Sequence, residues 1–157
     1  MGEDSRNDLF VIAVDTNILV YAHREDSPWH TKAITQVTAL AHSNAPWAIA
    51  WASVHEFLAI VTHPKIYDPP TPLATAIEAI VAWQASSSLR LLGEGPGYFE
   101  ILRHQVSTGS IAGPKIHDAR IASICLYHGV KQLWSADRDF SSFPDLACKN
   151  PLASSSS

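Results

Sequence analysis

Leu9-Phe10-Val11-Ile12-Ala13-Val14-Asp15-Thr16-Asn17 is the stretch on which the reading of the fold turns. An apolar, β-branched run ends abruptly on an acid and two polar residues, the pattern of a short parallel strand buried on both faces. Residues 18–23 read as helix, 24–28 as a polar break, and 29–42 as a helix whose spacing puts Ala33, Val37, Leu40 and Ala41 on one face. After Pro46 a second apolar run, 47–51, is predicted as a strand, and Ser53 is predicted to open a helix ending near Thr62. Residues 63–72 hold four prolines, which forbid simple continuation of that helix and mark a loop.

The alternation continues to the end of the chain. Residues 73–83 read as a helix with Ala76, Ile77, Ile80 and Trp83 inward, 89–92 as a third strand, 93–97 as a turn and 98–106 as a helix. Residues 116–128 are predicted helical and stopped by Gly129, with a fourth strand at 130–135, a short helix within 137–143 and a fifth strand at 146–149. A β-α alternation of this kind predicts an α/β domain with a mainly parallel central sheet of about five strands and helices on both faces. The expected division is an N-terminal extension at 1–8, one domain at 9–152 and a flexible tail at 153–157.

Composition bounds the function. With 157 residues, 46% of them hydrophobic, the chain can bury a core without disulfides or a structural metal, and two cysteines with no Cys/His cluster argue for a reducing cytoplasm and against zinc. The first residues have no signal-peptide pattern, and no apolar run approaches the roughly 18 residues needed to span a bilayer, so no membrane association is expected. A formal charge of −4 argues against broad adhesion to nucleic acid, yet acids gathered at one place can hold cations that receive phosphate.

The position of the acids therefore matters more than their number. Ligands of open α/β sheets sit beyond the carboxyl ends of the strands, where the strand order reverses. Asp15 falls there after the first strand, and Asp137 and Asp139 after the fourth. Glu56 is expected in the first turn of the helix after strand two, and Asp118 shares a helix face with Ile121, Ala122 and Cys125. Each acid has an ordinary alternative: Asp15, Asp137 and Asp139 as caps, Glu56 as the partner of Ser53 in an S-x-x-E capping box. Independent caps have no reason to gather at one sheet edge, whereas Mg²⁺ requires clustered oxygen ligands and uses one or two carboxylates with substrate phosphate.

The blocks VIAVDTNILVYAH, SVHEFL, KIHDARIASICLYHGV and LWSADRDFSSFPDL, with a closing NPL, resemble the PIN-domain ribonucleases, in particular the VapC-type toxins of bacterial type II toxin–antitoxin modules. The resemblance runs from about Phe10 to Leu152. It implies a PIN fold and endonucleolytic cleavage of a structured RNA, such as tRNA or rRNA, by a metal-activated water, leaving 5′-phosphate and 3′-hydroxyl ends. The cofactor implied is Mg²⁺, with Mn²⁺ able to substitute. Asp15, Glu56, Asp118 and Asp137 match the catalytic acids, of which Asp15, Asp118 and Asp137 are taken as metal ligands. Asp139 is an adjacent auxiliary, and Asn17 and Ser135 match polar positions that orient the first acid. Ser135 stands where the family often has Thr. A homodimer, a cognate antitoxin and a higher toxin–antitoxin assembly are implied as well, with Trp29, Trp51 and Phe57 as candidate antitoxin contacts.

Arg24, Arg120 and Arg138 are candidates for holding the RNA backbone. Other chemistries fit less well. His55-Glu56 lacks the second His of H-E-x-x-H, no G-x-S-x-G elbow exists, and the glycines at 93, 95 and 97 read as a turn rather than a dinucleotide fingerprint. Two alternatives stay open: a non-catalytic PIN-like RNA- or partner-binding module, and a phosphotransfer domain using Asp15, which lacks the D-x-D of one such class and the acid pair and late Lys of the other.

Overall fold

A computed structural model of the chain describes residues 10–153; the N-terminal extension predicted at 1–8 and most of the predicted tail lie outside the described residues. Five strands form one sheet: β1 (Ile12–Val14), β2 (Trp47–Ala50), β3 (Leu89–Leu92), β4 (Gln132–Trp134) and β5 (Cys148–Lys149). Every pairing is parallel and the order is β3-β2-β1-β4-β5. From β1 the chain builds outward through β2 to β3, then returns to lay β4 on the other side of β1. The reversal of strand order thus falls between β1 and β4, where Ala13 pairs with Leu133 and Val14 with Trp134.

Six helices cover the sheet: α1 (Thr16–His23), α2 (His30–His42), α3 (Trp51–Val61), α4 (Leu73–Gln84), α5 (Tyr98–Thr108) and α6 (Ile116–Tyr127). Successive strand residues point to opposite faces. On one face the small side chains of Ala13, Ala48 and Ala50 let Ala119 and Ala122 of α6 approach closely, with Ile121, Cys125, Phe140 and Phe143 completing that layer. On the other, Val14, Trp47, Ile49 and Trp134 meet Ile18, Leu19, Val37 and Phe57 from α1, α2 and α3. Gly129 ends α6 at φ 71°, the left-handed conformation that glycine adopts without penalty. Among the described residues no helix is long and apolar enough to cross a membrane.

The elements depart from the sequence reading at informative places. α3 opens at Trp51 rather than Ser53, with Ala50 at its N-cap, so Trp51 belongs to the helix and the capping box of Ser53 and Glu56 does not form. Ala52, Ser53, Val54 and Phe57 are all buried, and the packing that buries them outweighs the local capping preference. Ser53 is left with a buried hydroxyl that has no hydrogen-bond partner. On α4 only Ala76 is fully buried; Ile77, expected inward, is exposed, whereas Ile80 and Trp83 pack against the core. β4 and β5 are shorter than expected.

Candidate active site

The sheet edge at the β1/β4 reversal is built from backbone continuity. The Asp15 amide donates to the Trp134 carbonyl at 2.9 Å, carrying the β1–β4 ladder one residue past the strand and delivering Asp15 and Ser135 side by side. Asp15 occupies the N-cap position of α1, yet its carboxylate makes no cap bond. It accepts instead from the Ser135 hydroxyl at 2.7 Å. Asn17 clasps the same turn: its amide nitrogen lies 3.4 Å from Ser135 Oγ and its oxygen accepts from the Ala136 amide at 3.2 Å. Ser135 Oγ also receives the Asp137 amide at 3.0 Å, so a single hydroxyl links the first acid to the backbone of the fourth.

Glu56, in the second turn of α3, accepts a 2.7 Å hydrogen bond from the Thr16 hydroxyl. Thr16 thereby fixes the second acid relative to the first, a role the sequence reading missed. Asp118 is the third residue of α6 and half-buried, above the buried Ile121, Ala122 and Cys125. Asp137 caps the short 3-10 turn Arg138–Ser142 by accepting from the Asp139 amide at 2.8 Å, so its ordinary reading is realised alongside any other role. Asp118, Asp137 and Asp139 each present a carboxylate oxygen within 4.8 Å of the other two. Asp15 is not in that trio, whereas Asp139, read as an auxiliary, is.

Electrostatics single out Asp15 and Asp118. Burial pushes the Asp15 carboxyl up to about 7, opposed by the Ser135 hydroxyl and Thr16 backbone and reinforced by Glu56 and Asp118. Burial, then the charges of Asp137, Asp139 and Glu56, push Asp118 up to about 6, with Lys115 pulling back. Lys115, also unanticipated from the sequence, lies 3.9 Å from Asp139 and donates to Ser142 at 3.1 Å. Three carboxylate oxygens within 4.8 Å of one another, with no His or Cys in the trio, fit a hard divalent cation of the Mg²⁺ type.

The three arginines fare differently. Arg24 is committed to the fold: its guanidinium bonds Asp26 at 3.0 and 2.6 Å, the Pro69 carbonyl at 3.0 Å and the Thr71 hydroxyl at 3.2 Å, and it stacks on Tyr67. Arg120 pairs with Glu94 at 2.6 Å. Arg138 is exposed, beside Asp137. Of the aromatic residues, Trp29 and Trp51 are exposed, whereas Phe57 is fully buried between His23 and Trp83.

Comparison with known proteins follows the same line. Residues 12–146 match the family described as PIN domain. Ribonuclease VapC43 of Mycobacterium tuberculosis is 30% identical over 142 residues, covering 90% of this chain and 96% of that protein. Two solved structures share the fold: VapBC2 from Rickettsia felis bound to a promoter DNA fragment (TM-score 0.63, 19% identity, 89% of this chain and 98% of the other) and the sarcin–ricin loop-cleaving toxin VapC20 of Mycobacterium tuberculosis (TM-score 0.63, 14% identity, 83% and 93%).

Proposed function

The chain belongs to the PIN-domain family, among its VapC-type ribonucleases, and from that premise we propose that it is a metal-dependent endoribonuclease, the toxin of a toxin–antitoxin pair acting in the cytoplasm. The observation that carries the reading is the gathering of Asp118, Asp137 and Asp139 beside the buried Asp15 at the strand-order reversal. Mg²⁺, or Mn²⁺ in its place, would supply a nucleophilic water at neutral pH and would offset charge on the phosphate.

The chain's own residues do the rest. Asp118, Asp137 and Asp139 provide the oxygens that hold the cation. Asp15, fixed by Ser135 and Asn17, sets the negative field behind them. Glu56 is held through one oxygen by Thr16, leaving the other to accept a proton from the attacking water. Attack on phosphorus then breaks the bond to the 3′ oxygen, which takes up a proton, leaving a 5′-phosphate and a 3′-hydroxyl. Arg120, which pairs with Glu94, is the residue we assign to steadying the RNA backbone.

A structured RNA, tRNA or an rRNA loop, is the substrate we assign, in keeping with the activity named for VapC20. A cognate antitoxin and a second copy of the chain are its protein partners. The test is to map 5′ ends of cellular RNA after brief expression of the parent chain and of Asp15→Asn. New 5′-phosphate ends specific to the parent support the reading; identical end maps sink it.

A further inference from the structure

A cavity of about 600 Å³ opens beside the acids and shares Asp137 with them. Its floor is apolar, formed by the buried Phe140, Phe143 and Leu146, and its walls carry Arg138 and Lys149. Both cations are exposed, and neither pairs with a carboxylate among the described residues. A second cavity, about 280 Å³, is lined by Tyr21, Trp29 and Leu152. Ala136, Asn150 and Ala153 line both, so the two adjoin as one grooved face that includes Asp137 and the Trp29 ring, which is 46% exposed.

We propose that this groove is a track for single-stranded RNA: the nucleotide next to the cleaved phosphodiester lies in the larger cavity, its phosphates between Arg138 and Lys149, and a following base stacks on Trp29. The proposal rests on the ribonuclease reading. A strand cut at the acids must continue past them, and its phosphates need cations on a chain whose formal charge is −4. Arg138 and Lys149 supply that charge at the cavity adjoining the acids. The larger cavity falls in the usual range of roughly 300–1,000 Å³ for small-molecule sites. An exposed indole beyond it offers the sequence-tolerant stacking platform typical of single-strand binding. A protein segment in the same groove is the competing occupant.

Binding of a fluorescein-labelled, random-sequence RNA octamer to the full chain in Ca²⁺, followed by anisotropy, tests the track without relying on turnover. Lys149→Glu and Trp29→Ala are each expected to weaken binding about tenfold, Trp29→Phe to stay within about twofold of the parent, and Lys149→Glu to lower the salt slope by about one. Melting temperatures of all variants control for folding. Parent-like binding by both folded loss variants, or no octamer binding by the parent, overturns the track. Mg²⁺-dependent cleavage of total RNA by the parent is measured beside it. Cleavage with unaffected binding in the variants removes the track and keeps the ribonuclease; weakened binding without any parental cleavage does the reverse.

Discussion

Burying Asp15 has a measurable signature. Its carboxyl, and that of Asp118, are raised in the folded chain from 3.8 to about 7 and about 6. Between those values the folded chain keeps protons that the unfolded chain has released, so metal-free stability is highest at the acid end of the window and falls as pH rises through it. Asp26 and Glu94, lowered by hydrogen bonds from Arg24 and Arg120, add little slope above pH 5, whereas His23, lowered from 6.5 by burial, contributes stability that grows with pH in the same window and offsets part of the fall. The metal-free melting temperature is therefore expected to be several degrees lower at pH 8 than at pH 5, with Asp15→Asn removing most of the difference; a flat parental profile would deny the raised carboxyl values. Mg²⁺ favours the carboxylates, so its stabilisation should be larger at pH 8. Ser135→Ala, which deletes the 2.7 Å bond to Asp15, is expected to weaken Mn²⁺ binding by roughly tenfold or more, and Ser135→Thr to restore most of it in a calorimetric titration. Equal affinities in all three would leave Ser135 with no part in orienting Asp15.

At the scale of elements, α3 separates packing from capping. Because the Ser53 hydroxyl is buried without a partner, Ser53→Ala is expected to be neutral or stabilising by up to about 1 kcal/mol in urea unfolding, where loss of a true N-cap would cost about 0.5–2 kcal/mol. β3 and the starts of α4, α5 and α6 were legible because Pro72, Gly97 and the change of hydrophobic period mark them locally. The start of α3 was not, since S-x-x-E describes a local option that burial of Ala52 and Val54 overrules. The acids were legible as a group, because the ends of parallel strands share one sheet edge. Their partners were less so: Thr16 meets Glu56 across 40 residues, which no local spacing encodes, any more than it encodes the bond to Pro69, 45 residues on, that commits Arg24 to the fold. Asp139 was underrated because a 3-10 turn aims side chains differently from an α-helix, bringing it beside Asp137.

The whole molecule carries two surfaces of opposite character. The acid rim concentrates negative charge, whereas Leu73, Ile77 and Val81 expose an apolar stripe at four-residue spacing along α4, with the exposed Ile66 in the loop preceding that helix. Three such side chains in a row are costly to leave in water, and the pairing of two copies proposed above would cover them if it used this face. Ile77→Lys is expected to convert a dimer to a monomer in sedimentation velocity without lowering the melting temperature; an undisturbed dimer would put that contact elsewhere. If the converging carboxylates form a metal-dependent nuclease centre, as proposed, it shows in cleavage of total cellular RNA by the purified parent, Asp15→Asn and Asp118→Asn with Mg²⁺ and with EDTA. The parent is expected to give 5′-phosphate products in Mg²⁺ alone, with at least a hundredfold loss in both variants, each shown to be folded. Parent-like cleavage by either folded variant, or undiminished parental cleavage in EDTA, would contradict it.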